Sequence, residues 1–116
     1  MSNSLHENIE AIEAGYEFLL AYAAQGRASD EGQGGSEVRT TLAGMSEAAA
    51  AIAESMGNDD GDFSTVILED ARKSVAAISL VLTQDEISSE LIDNLNASIH
   101  LRALLTDLFL LSETLR

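Results

Sequence analysis

Four side chains near the start of the chain have types and spacing that could do chemistry. His6, Glu10, Glu13 and Glu17 recur at three- and four-residue steps, so one helix would carry them within a narrow arc. Imidazole and carboxylates on one helix face are what a metal site in a helical bundle uses. A di-iron bundle also needs paired Glu-x-x-His motifs, and no E-x-x-H occurs in the sequence. A solvated acidic face accounts for the arc. Haem ligation by His6 or His100 with Met45 or Met56 is a further reading, though methionine at core spacing ordinarily serves packing. The acidic turn from Gly57 to Asp62 invites calcium. With Gly61 at the sixth loop position, however, Met56 and Ile67 fall where an EF-hand needs carboxylates. Gly32, Gly34 and Gly35 lack the strand before and the Lys-Ser/Thr after that a phosphate loop requires.

His100 continues a polar strip with Asp93, Asn96 and Asp107. A surface histidine on a helical bundle of this size resembles, in architecture alone, the histidine phosphotransfer domains. Those domains place lysine and then glycine three and four residues after the histidine, whereas Ala103 and Leu104 stand there. Phosphate on His100 would also face Asp93 and Asp107, with Arg102 the one nearby cation in sequence. A phosphotransfer-like signalling bundle using His100 and a small metal- or haem-binding bundle therefore stand as alternatives. No serine–histidine–acid set can be placed together, and no catalytic, cofactor or metal residue is assigned.

Composition narrows the rest. The 116 residues hold no proline, cysteine or tryptophan, and twenty acids against six bases give a formal charge of −14. Without cysteine there are no disulfides, zinc–thiolate sites or thiolate nucleophiles, which suits a reducing cytosol. The N-terminal residues have neither the basic nor the apolar region of a secretory signal, and no apolar run could span a bilayer. The expectation is a cytoplasmic protein. Its charge repels nucleic acid and anionic membrane alike, leaving proteins as the partners to expect.

Breakers cluster in three places, so the sequence predicts an all-α, antiparallel four-helix bundle in one domain. Helix 1 spans 4–25, with a Ser4/Glu7 capping box and Gly26 as a left-handed terminator. Residues 27–35 form a flexible, exposed linker that buries nothing. Helix 2 spans 36–56 with Ser36 as N-cap, and its alanine run, Ala48 to Ala51, invites close approach by a neighbour. Helix 3 spans 63–82 behind Asp62 as N-cap. Helix 4 spans 84–115 behind a Thr83/Glu86 capping box, with Leu82 and Ile87 as its staple. At 1.5 Å per residue it would be roughly 48 Å long, against about 30 Å for the others.

Helix 4 also changes phase. Ile87, Leu91, Ile92, Leu95 and Ile99 share one face; Leu101, Leu104, Leu105, Leu108, Leu111 and Leu115 share another. The switch lies in Asp93–Ser98, a run of weak helix formers, predicting a kink or break near Asn96 or two halves with different neighbours. Phe109 and Leu110 lie off the second stripe, so the C-terminal half is apolar nearly all round. On helix 1, Phe18 and Tyr22 lie off the main stripe as well. These nine residues (Phe18, Tyr22, Leu101, Leu104, Leu105, Leu108, Phe109, Leu110 and Leu111) are the candidate interface. The expected function is a non-catalytic interaction module, adaptor or chaperone-like, that self-associates as a dimer through helices 1 and 4 and has the capacity for a further protein partner.

Overall fold

The computed structural model describes residues 4–32, 35 and 37–115; among them every regular element is helical, and there are five helices. They are α1 (Leu5–Ala23), α2 (Glu37–Gly57), α3 (Asp62–Leu82), α4 (Ser89–Ala97) and α5 (His100–Thr114). No helix is long and apolar enough to cross a membrane.

Local signals set most of the boundaries. At the start of α1 the Glu7 N–H donates to Ser4 Oγ at 3.2 Å, and the Ser4 N–H donates to Glu7 Oε1 at 3.0 Å. These two bonds hold the Glu7 carboxyl below its ordinary pKa. Gly26 follows α1 with φ of +68°, the left-handed conformation that ends helices. At α3 the cap is Gly61, not Asp62, which is the first helical residue. The organising acid is Asp59, whose carboxylate accepts from the Gly61 N–H at 3.0 Å and from Ser64 Oγ at 2.9 Å. That pattern is an Asx-turn leading into a helix. The expected cap of α2, Ser36, lies outside the described residues.

The core draws on every helix. Ile9, Ile12 and Leu19 of α1 meet Val38, Leu42, Met45, Ala49 and Ile52 of α2, with Ile67 and Ile78 of α3 behind them. α2 packs on α1 and α3; α4 and α5 pack on both α1 and α3. Among the described residues α1 does not approach α3 closely, nor α2 either of the last two helices. α1 and α2 come close at Gly15, where a Cβ would collide with the Met45 side chain. Of the alanine run, Ala48 and Ala49 are buried, Ala51 is half-buried and Ala50 is exposed.

The predicted fourth helix is where structure and sequence part. Thr83 ends α3, and its hydroxyl donates to the Leu80 carbonyl at 2.6 Å; it opens nothing. Residues 83–88 are a loop, and α4 begins behind Ser88, whose side chain accepts from the Leu91 N–H at 3.0 Å. The reason is tertiary. Arg39 of α2 donates to the carbonyls of Gln84 and Asp85 at 2.8 and 3.0 Å, and to that of Leu82 at 3.3 Å. Asp30 accepts from the Ile87 N–H at 2.8 Å, and the Arg27 carbonyl accepts from the Ser89 N–H at 2.8 Å. Backbone groups that a helix from Thr83 would bond internally are held by other segments.

The second interruption falls beyond Asn96, at Ser98 and Ile99. Ser98 closes α4, and its hydroxyl donates to the Leu95 carbonyl at 2.5 Å. Ile99 is left-handed, with φ of 66° and ψ of −5°, and its carbonyl accepts the first bond of α5 from Ala103 at 2.8 Å. A β-branched residue there costs roughly 1–2 kcal/mol. The long helix expected over 84–115 is therefore two helices, and Ile99, placed on a buried stripe by periodicity, is 61% exposed.

The first connection is likewise built in. Asp30 binds Arg39 Nε at 2.7 Å, and its side chain is only 11% exposed. Gly35 is buried too, so the described residues of this connection are partly buried, where composition implied none would be.

Candidate interaction surface

The nine candidate interface residues separate into three environments. Tyr22, Leu101, Leu104, Leu105 and Leu108 are buried within the chain. Phe18 and Leu111 are half-buried against the core. Phe109 and Leu110 stand out from α5, 46% and 55% exposed. The apolar surplus of the C-terminal half is thus mostly absorbed by α1, α3 and α4, and what remains is the outer side of α5.

Tyr22 shows why an off-stripe aromatic need not face outward. Its hydroxyl donates to the Ile87 carbonyl at 2.6 Å, its ring stacks on Phe18 with centroids 6.2 Å apart, and Arg27 lies 5.8 Å from the ring centre. Burial pushes its phenol above the ordinary range, and Arg27 opposes that shift. Ser89 extends the same knot, accepting from the Arg27 N–H at 2.8 Å and donating to the Tyr22 carbonyl at 2.7 Å. Arg39 and the Ile87 N–H hold the Asp30 carboxyl below its usual pKa. This end of the molecule serves architecture.

Phe18 and Phe109 sit on different sides of α1. Phe18 borders a cleft with Thr40, Thr41 and Gly44 of α2. Phe109 borders a cleft with Glu10, Glu13, Tyr16 and Glu17 of α1, beside Leu105. The two clefts meet at Ala14 of α1, which lines both. Leu20, 49% exposed, and Leu115, 65% exposed, are further apolar side chains open to solvent, and sequence reasoning did not single out Leu20.

The candidate chemistry disperses in the same way. His6 lies 3.5 Å from Glu10, with both side chains well exposed. Among the described residues no group of three or more acids and histidines is placed to hold a metal ion. Met45 and Met56 are buried in the core. His100 is the first residue of α5, and its carbonyl accepts from the Ser74 hydroxyl of α3 at 3.1 Å. Asp107, on the expected polar strip with His100, is half-buried and lies near the Asp70 carboxylate of α3. Burial first, and the Asp70 carboxylate second, push its pKa up to about 7. Asn96 has both amide atoms buried without a hydrogen-bond partner, as is Asp107 Oδ2. No family model matches the chain, and neither a curated protein nor a solved structure matches it.

Proposed function

We propose that this protein is a non-catalytic interaction module whose contact surface is the outer side of α5, and that two copies pair there. The supporting observation is the adjacent exposure of Phe109 and Leu110 on a helix whose Leu101, Leu104, Leu105 and Leu108 are buried. The backbone arrangement suits that role. We read it as a four-cornered, antiparallel bundle in which α4 and α5 share one corner, so α5 has an outward side free of neighbours.

Magnitudes set the strength of pairing. Completing the burial of one half-exposed Leu or Phe is worth about 1 kcal/mol, so two side chains from each copy contribute about 4 kcal/mol. Association also costs translational and rotational freedom, so this gain sets a millimolar dissociation constant as the tightest limit, a weak and reversible dimer. Each copy carries −14, so repulsion opposes pairing and salt relieves it. Light scattering up to about 1 mM protein tests the reading. The mass should climb from monomer towards dimer, and Leu110→Glu should hold it at monomer; a wild-type monomer throughout sinks the pairing.

A further inference from the structure

One of the surface clefts differs from others in chemistry. The cleft between α2 and α3 has Arg72 in its wall, and that beside the start of α4 has Arg27. The cleft between α1 and α2 is walled mainly by small residues, with Glu47 its one charge. The cleft between α1 and α5, of about 500 Å³, has the carboxylates of Glu10, Glu13 and Glu17 on one bank and no basic residue in its lining. Leu105 and the aromatic residues Tyr16 and Phe109 supply the apolar part of its lining. Among the described residues Glu13 and Glu17 form no ion pair, and Glu10 has only the exposed His6 at 3.5 Å. Unneutralised like charges lie along an aromatic-flanked apolar trough.

We propose that this cleft receives a cationic amphipathic helix from another protein. Its aliphatic side chains would lie over Leu105, between Tyr16 and Phe109, while its lysines or arginines face the three carboxylates. Glu10, Glu13 and Glu17 stand at positions i, i+3 and i+7, a rise of roughly 10 Å along α1. A helix laid alongside can match that spacing with cations at its own i, i+3 and i+7. Against these three carboxylates a basic helix is favoured over a second copy, whose net charge is −14, and because Phe109 belongs to both surfaces the two occupants compete for it. The inference rests on the interaction-module reading, but its occupant and its salt dependence differ from those of self-pairing. Basic-helix binding weakens with salt, whereas pairing strengthens.

The test is fluorescence anisotropy with a labelled synthetic helix of leucine and lysine, against the same peptide with glutamate for lysine. The lysine peptide should bind saturably and the glutamate peptide should not. Glu13→Lys with Glu17→Lys should weaken binding by about tenfold or more, and Phe109→Ala should also weaken it. Glu47→Lys with Glu54→Lys changes net charge equally on exposed positions of α2 and should alter binding by less than about twofold. Equal loss in both double variants, or equal binding of both peptides, would overturn the cleft as the site, as would the absence of saturable binding. Circular dichroism confirms that each variant is folded. Light scattering of the protein without peptide is a separate result, so a failed cleft and a failed pairing are told apart.

Discussion

At the residue scale, stability turns on a few polar groups whose partners lie far away in sequence. Tyr22→Phe keeps the ring but leaves the Ile87 carbonyl without its donor, and should lower unfolding free energy by about 1–2 kcal/mol in urea titration. Asp107 makes stability depend on pH in the opposite sense to an ion-paired acid. Its pKa rises from 3.8 to about 7 in the folded chain, so between those values the native state holds a proton the unfolded state has released. Its contribution is therefore fully present below the unfolded pKa and is lost as pH rises through about 7. Above that, two carboxylates face each other between α3 and α5. Asp107→Asn supplies an N–H donor to Asp70 at every pH and should raise stability at pH 8 by about 1 kcal/mol while flattening the slope below it. Urea midpoints at pH 5 and pH 8 check this; an unchanged pH slope in the variant would show that Asp107 is not the group responsible. Composition could not reveal any of this, because Asp70 and Asp107 pair only once α3 and α5 are side by side.

At the scale of elements, sequence reading succeeded where a signal is local and failed where the winning partner is distant. The Ser4/Glu7 box and Gly26 act within a few residues, and α1 starts and ends as they direct. The Thr83/Glu86 pattern is as good a local signal, but Arg39 and Asp30 hold the backbone it would have organised. The competing cap, Ser88 ahead of Glu90, was visible in the sequence as a serine with an acid in the following turn. The phase switch in the last helix was legible as a shift of the leucine stripe, together with weak helix formers. The exact residue was not, since an isoleucine is a poor guess for a left-handed position. This makes Ile99 a sharp test of the division. Ile99→Gly removes the steric cost and should stabilise the protein by about 1 kcal/mol, read as an upward shift in thermal midpoint. Were residues 89–114 one continuous helix, the same change would destabilise it by about 1 kcal/mol. Gly15→Ala tests the opposite kind of site, and overpacking against Met45 should cost about 1–3 kcal/mol.

For the whole molecule, the candidate surface was half legible. Periodicity identified the C-terminal leucines as a surplus, but periodicity counts apolar faces and cannot say how many neighbours arrive. With α1, α3 and α4 in place, Leu101, Leu104, Leu105 and Leu108 are absorbed, and the outward residue pair, Phe109 and Leu110, is the one lying off the stripe. Tyr22 was misjudged for the same reason, because the loop carrying Ile87 covers it. What the molecule presents is therefore a short apolar strip on α5 within an acidic shell. The pairing we propose through that strip requires charge repulsion to be screened. Sedimentation equilibrium at low and high salt is the most direct measurement of that claim. The dimer dissociation constant should fall by about tenfold or more between about 0.01 and 1 M salt, as the Debye length shrinks from about 30 to 3 Å. A protein that stays monomeric at both ends of that range would contradict the account.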